Sequence, residues 1–195
     1  MPSLYGETGN GVREILLTFD DGPSPATTPR LLDTLAANNI HAVFFVLGQL
    51  INGQGKAIVE RAHSEGHVIG NHTFTHPNLK TLGREQIKDE LRRTHDLICA
   101  ITGECKLFRP PYGAYNSMVG EALQELGYEQ LLWSVDTLDW KYRSTGWVDV
   151  GMEQIKVRED CVVLMHDIHA TTVDNVPNLI SRIKRTSNST FVPYQ

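Results

Sequence analysis

The chain has 195 residues, 41% of them hydrophobic and 21% charged, with a formal net charge of -5. That is an ordinary globular composition with enough length for one sizeable core, so a single domain covering residues 1–195 is expected. The negative balance, without a basic run, argues against a nucleic-acid partner, and no apolar run is long enough to span a bilayer.

The lead-in from Met1-Pro2-Ser3-Leu4-Tyr5-Gly6 is polar and glycine-rich, and it lacks the basic-then-apolar pattern of a signal peptide. A cytoplasmic protein or a trimmed chain would both fit. Residues 14–19 read as a buried strand that delivers Asp20 and Asp21 into the turn Gly22-Pro23-Ser24. Residues 29–38 read as a helix, with Thr28 as its N-cap and Pro29 suited to its first turn. A second strand is expected at 41–46, a short helix at 55–64 stopped by Gly66, and a third strand at 67–70 leading into Asn71-His72-Thr73-Phe74-Thr75-His76-Pro77. The longest helical pattern covers 82–101, with Ile87, Leu91, Leu97 and Ile98 near helical spacing and Gly103 ending it. Then follow a brief strand at 107–109 stopped by Pro110-Pro111, a helix at 117–126 closed by Gly127, a strand at 130–135, a helix at 149–157, a strand at 161–165 and a last helix at 175–184.

Strand and helix thus alternate roughly seven times, the rhythm of parallel strands covered by helices in a doubly wound sheet or a barrel. Both architectures carry function at the carboxyl ends of the strands. The polar residues of interest fall there: Asp20 and Asp21 after the first strand, His72 and His76 after the third, Arg109 after the fourth, Asp136 and Asp139 after the fifth, His166 after the sixth.

Asp20 and Asp21 point to opposite sides of an extended strand, so one can bind a metal while the other handles a proton. The plainer alternative is turn chemistry, with Asp21 capping the following helix. His72 and His76 lie four apart, and on one helical turn they would share a face and reach one ion. With Asp21 they make two imidazoles and a carboxylate, the donor set of a catalytic zinc site with an open position. By itself a His-x-x-x-His pair is more often a surface pattern. Arg109 before Pro-Pro also fits a surface ion pair, Asp136 a turn cap and Trp140 plain core. The three cysteines, Cys99, Cys105 and Cys161, cannot make a disulfide framework. Cys161 reads as a small core residue, and Cys99 and Cys105 are either a pair or two reduced thiols. His41, His63, His67 and His95 have no motif partners and read as structural or solvated; His169, three after His166, is a candidate substrate contact. There is no Gly-x-Ser-x-Gly elbow and no phosphate-binding loop.

Thr18-Phe19-Asp20-Asp21-Gly22-Pro23-Ser24, His72-Thr73-Phe74-Thr75-His76, Arg109-Pro110-Pro111-Tyr112-Gly113, Asp136-Thr137-Leu138-Asp139-Trp140 and Leu164-Met165-His166-Asp167 resemble the five ordered motifs of the NodB-type polysaccharide deacetylases, carbohydrate esterase family 4. The resemblance runs from about residue 14 to residue 185. It implies a distorted (β/α)7 barrel that removes acetyl groups from N-acetylglucosamine glycans, chitin or peptidoglycan, or in some members from O-acetylated xylan. It further implies Asp20 as general base and Asp21, His72 and His76 as holders of the metal. Zinc is expected there, with cobalt, nickel or manganese as substitutes. By the same resemblance His166 is the general acid, Arg109 orients Asp20, and Asp139 pairs with His166. The Tyr112 backbone N–H would hold the oxyanion, and Trp140 with Leu164 would line the acetyl-methyl pocket. It implies a secreted or envelope-associated monomer whose partner is an acetylated glycan. Rival readings are a binding module that kept the fold without the chemistry, and a barrel hydrolase of small cyclic amides or ureides.

Overall fold

The computed structural model describes residues 11–194; the lead-in read above as free of a signal-peptide pattern lies outside the described residues. Strand β1 (Arg13–Asp20) is the centre of the fold. It pairs in parallel with β2 (Val43–Val46) on one side and β7 (Cys161–His166) on the other. Through β3 (Val68–Asn71), β4 (Leu107–Phe108), β5 (Glu129–Gln130) and β6 (Val135–Asp136) the order runs β5-β4-β3-β2-β1-β7-β6, all parallel. A strand that the sequence did not suggest, β8 (Ser189–Phe191), pairs with Arg13 to Ile15 at the start of β1.

The sheet curls into a barrel whose two ends, β5 and β6, do not pair with each other. The strand expected at 130–135 is therefore two short strands, because the chain leaves β5 after Gln130 and crosses this seam before joining β7 as β6. Helices α1 (Thr28–Asn38), α2 (Gly53–Ser64), α3 (Arg84–Thr102), α4 (Ser117–Glu125), α5 (Gly146–Lys156) and α6 (Ala170–Lys184) follow the strands in alternation. Each buries one stripe, as α1 does with Thr28, Leu31, Leu32 and Leu35. Gly103 ends α3 in the left-handed region, as its position predicts. Helix α6 begins five residues before the expected position and carries Pro177 in its interior. Thr28 is the first residue of α1 and makes no N-cap bond; its hydroxyl is used elsewhere.

Because β1 is buried on both faces it reads as a continuous apolar run, yet its two faces differ. Ile15, Leu17 and Phe19 join the large core under the helices. Leu16 joins Val43, Phe45, Leu107, Leu131 and Val162 in a smaller cluster inside the barrel. Period-2 alternation then aims Thr18 and Asp20 into the barrel, as it does Leu164 and His166 on β7. Cys99, Cys105 and Cys161 are all free thiols, and Cys161 is buried in the core.

Gly70 on β3 sits where a Cβ would stand 2.6 Å from two atoms of the Phe45 ring. Gly70→Ala should therefore lower unfolding stability by about 1–3 kcal/mol through overpacking. Urea denaturation measures this, and an unchanged midpoint would mean that the Phe45 ring has room to give.

Candidate active site

Arg109 leaves β4 directly into the barrel and is fully buried. Its Nη1 donates to Thr18 Oγ1 at 2.7 Å and to Asp20 Oδ1 at 2.8 Å. Nε and Nη2 donate to the carbonyls of Leu131 and Leu132 at 2.9 and 3.0 Å. Its guanidinium lies 4.1 Å from the Phe45 ring centroid. The surface ion pair considered from sequence is excluded.

The chain turns at Asp21, whose φ of 76° lies in the left-handed region. That turn brings the Asp21 carboxylate round to the same cleft as Asp20 instead of leaving it on the outer face, and Asp21 does not cap α1. Asp21 Oδ1 stands 3.4 Å from His72 Nε2 and 3.1 Å from His76 Nε2. The two histidines do not share a helical turn as expected: residues 72–77 form a loop with Thr73 and His76 at positive φ. Asn71 fixes that loop by accepting from Thr73 N at 2.8 Å while donating to Leu91 O and Tyr128 Oη. Glu90 of α3 accepts from Phe74 N, Thr75 N and Thr75 Oγ1.

His72 Nδ1 faces the Arg109 carbonyl at 2.6 Å. A carbonyl only accepts, so Nδ1 carries the proton and the Nε2 lone pair is left toward Asp21. His76 Nδ1 meets Tyr112 Oη at 3.2 Å, and the Tyr112 ring stands edge-on over the imidazole. Burial pushes the Asp21 carboxyl up, while protonation of the two imidazoles at Nε2 would outweigh it and hold the group well below the usual carboxylate range, the role that a bound cation would take over from those protons. One ligand atom from each of Asp21, His72 and His76 falls within 4.8 Å of the others, and Asp21 Oδ1 is buried without a hydrogen bond. An orphaned carboxylate oxygen among converging imidazole nitrogens fits a divalent cation of the zinc type.

Across the cleft, Asp139 is fully buried. Its Oδ1 lies 2.8 Å from His166 Nδ1, and its Oδ2 accepts from His166 N at 2.8 Å and Thr172 Oγ1 at 2.7 Å. Burial pulls the His166 imidazole down, but the Asp139 bond and charge, with Asp20 and Asp21, carry it up to about 9. Asp136 accepts from Leu138 N at 2.9 Å, the turn-capping role weighed from sequence. His169 lies at the rim, its ring 6.0 Å from that of His166, with Nδ1 accepting from Arg143 Nη1 at 3.1 Å.

Asp20, Asp21, His72, His76, Tyr112, Trp133, Asp136, Trp140, Leu164 and His166 line one open cavity of about 390 Å³. Trp140 is 48% exposed, which rules out plain core. The sequence missed Thr18, Asn71, Glu90, Trp133 and Thr172. Thr18 alone had a signal, its i−2 spacing from Asp20 on one strand face. Asp167, quoted only as part of a motif, is buried behind the site, and burial pushes its carboxyl up to about 7.

The family model for polysaccharide deacetylases matches residues 8–131. The chain is 40% identical over 173 residues to the peptidoglycan-N-acetylglucosamine deacetylase PgdA of Listeria monocytogenes, covering 88% of this chain and 36% of that protein. It is 37% identical over 193 residues to the putative polysaccharide deacetylase YheN of Bacillus subtilis, covering 93% and 67% of the two. Among solved structures, the peptidoglycan deacetylase PdaC of Bacillus subtilis superposes with a TM-score of 0.84 at 35% identity, over 93% of this chain and 88% of that one. The chain thus spans about a third of PgdA's length.

Arg109 and Asp20 form an almost fully buried ion pair, and removing one partner strands the other's charge. Arg109→Ala should cost about 3–5 kcal/mol, and adding Asp20→Asn should return part of that loss. Denaturant midpoints of the two single variants and the double variant measure the coupling; strictly additive losses would deny it.

Proposed function

The chain belongs to the polysaccharide deacetylase family, and from that premise we propose that it is a deacetylase that hydrolyses N-acetyl groups on the amino sugars of peptidoglycan, or of chitin-type oligomers of N-acetylglucosamine. The observation that carries this reading is the convergence on one cavity of an Arg-paired aspartate, an Asp-His-His cradle and an Asp-paired histidine. Residues 1–195 are taken as one catalytic unit, working as a monomer at the cell envelope. Relatives that carry peptidoglycan deacetylase names support that setting.

Asp21, His72 and His76 would hold the cation, and their donor set suits zinc, with cobalt, nickel or manganese as substitutes. A divalent cation there supplies Lewis acidity, polarising the acetyl carbonyl and making water easier to deprotonate. Asp20 Oδ1 is tied to Arg109, so Oδ2 is the oxygen that takes a proton from the attacking water. As the water oxygen bonds to the acetyl carbon, charge develops on the former carbonyl oxygen, for which the Tyr112 N–H is the proposed donor. The carbon–nitrogen bond then breaks while His166, with Nδ1 held by Asp139, gives the proton on Nε2 to the departing amine. Trp140 and Leu164 would take the acetyl methyl.

Acetate release from peptidoglycan, chitooligosaccharide and acetylxylan, beside ring opening of a small cyclic imide, tests the substrate class. Release from the N-acetyl glycans is expected. Turnover of acetylxylan alone would make the protein an O-acetyl esterase, and turnover of the imide alone a cyclic amidase.

Chelation should abolish turnover and zinc restore it, with His72→Ala and His76→Ala losing bound metal as well as rate. Asp20→Asn should keep zinc and lower kcat by about 10²–10⁴-fold, since it removes a proton acceptor and leaves the cradle intact. Zinc content by elemental analysis separates the two effects, and loss of zinc from Asp20→Asn would exchange the roles of Asp20 and Asp21.

His166 is an acid that donates only below its pKa. Amide hydrolysis should therefore fall on the alkaline side as pH rises toward about 9, with the midpoint drawn lower by a cation that offsets Asp21. Asp139→Asn removes the charge that favours imidazolium and should move this limb down by about one unit or more. His166→Ala should harm an amide more than an acetyl ester with a good leaving group. Equal losses on both substrates would make His166 a positioning or oxyanion residue instead.

A further inference from the structure

Asp167 follows His166, the last residue of β7, and the two side chains leave the strand end toward different cavities. His166 lines the cavity, whereas Asp167 points out toward the start of α1, and the chemistry above has no use for it. Its side chain is nevertheless buried, with 1% relative exposure. Oδ2 accepts from Thr28 Oγ1, which in turn accepts from Ser24 N at 2.8 Å, while Oδ1 makes no hydrogen bond to a protein group. The wall against that carboxyl is the backbone of Gly22. A Cβ on Gly22 would stand 2.7 Å from Asp167 Cγ and closer still to both oxygens. Elsewhere on the turn, the Gly22 carbonyl accepts from Leu47 N at 2.9 Å.

The four residues Asp21-Gly22-Pro23-Ser24 are thus held at Ser24 through Thr28, at the Gly22 carbonyl by Leu47, and at the Gly22 α-carbon by the Asp167 carboxyl. Asp21 leads this turn with φ in the left-handed region, a conformation that persists only when its surroundings hold it. Packing alone does not account for Asp167, because an apolar side chain of similar volume would fill the space without burying a half-partnered carboxyl.

We propose that Asp167 is a positioning residue: its carboxyl, braced on Thr28, is the seat on which Gly22 rests, and it sets where the Asp21 carboxylate stands relative to His72 and His76. The proposal rests on the reading of Asp21 as a carboxylate that holds a metal.

Zinc binding by calorimetry and the visible absorption of the cobalt-loaded protein test it on Gly22→Ala, Asp167→Ala, the double variant and Asp167→Asn, with melting of the metal-free proteins as the control for folding. Gly22→Ala and Asp167→Ala should each weaken zinc by about 10–100-fold, the usual cost of losing a group that orients a ligand. The double variant should bind zinc more tightly than Gly22→Ala alone, because the new methyl occupies the space that the carboxyl vacates. Asp167→Asn keeps the oxygen on Thr28 and should stay close to wild type, which also serves if Asp167→Ala does not fold. Additive losses in the double variant, single variants indistinguishable from wild type, or an Asn variant as impaired as the Ala variant would each overturn the proposal, the last by showing that charge and not position matters. Wild-type protein that binds no zinc would sink the metal reading with it. Normal zinc coupling in a protein inactive on every glycan would leave this proposal standing and remove the substrate assignment.

Discussion

The Arg109 guanidinium holds together a barrel that does not close. Between β5 and β6 the ladder of backbone hydrogen bonds is missing, and carbonyls left in the interior would be costly. Arg109 supplies donors there to Leu131 and Leu132, and on its other edge to Thr18 and Asp20. A fully buried cation is itself expensive, so the arrangement is stable only as a unit: the seam carbonyls, the Phe45 face and the Asp20 carboxylate together replace the water that the guanidinium has lost. Fixing the seam and fixing the proposed base are therefore one event. Asp20 cannot swing without uncovering a buried charge, which is what a base with a constant position requires.

Around that fixed point the site is assembled from strand ends by backbone conformations that side chains usually avoid. Among the described residues seven non-glycine residues have positive φ, and five of them, Asp21, Thr73, His76, Tyr112 and Leu138, lie in the loops of the site. Strain of this kind collects where the surroundings over-determine it, and the restraints are identifiable. Asp136 takes the Leu138 N–H, Asn71 takes the Thr73 N–H, and Glu90 takes the N–H groups of Phe74 and Thr75. The cradle is thus imposed by helix α3 and the strand ends rather than by the His-x-x-x-His spacing.

This explains what could and could not be seen in the sequence. Strand order of function was legible because a buried parallel strand is an apolar run, and a polar residue ending such a run stands out. Asp20, Arg109 and His166 were visible for that reason. The location of His72 and His76 was legible but their geometry was not, since a spacing of four suggests a helical face, and the local chain is a loop held by Glu90, a residue with no sequence signal. The split of 130–135 into two strands was hidden because its cause, a guanidinium reaching over from β4, is tertiary. Strand β8 was missed because its three residues carry no more pattern than a loop, and their pairing with β1 is decided by where α6 delivers the chain.

The two proton-handling groups are set apart by their partners rather than by their own chemistry. Asp20 faces a cation that fixes its position, and His166 faces an anion that stabilises it as an imidazolium, the form that its proposed step consumes. Both partners are fully buried, and each makes further hydrogen bonds that leave it little freedom to follow the proton. Asp139 carries four hydrogen-bonded contacts and sits in the usual acid's place behind an imidazole, yet its carboxyl is itself held down by His166 against the upward push of burial. The cradle of Asp21, His72 and His76 lies in the same cavity, so a cation bound there would act on both groups at once. It would oppose the imidazolium that Asp139 favours, and the balance between these two fields sets the pH at which His166 gives up its proton.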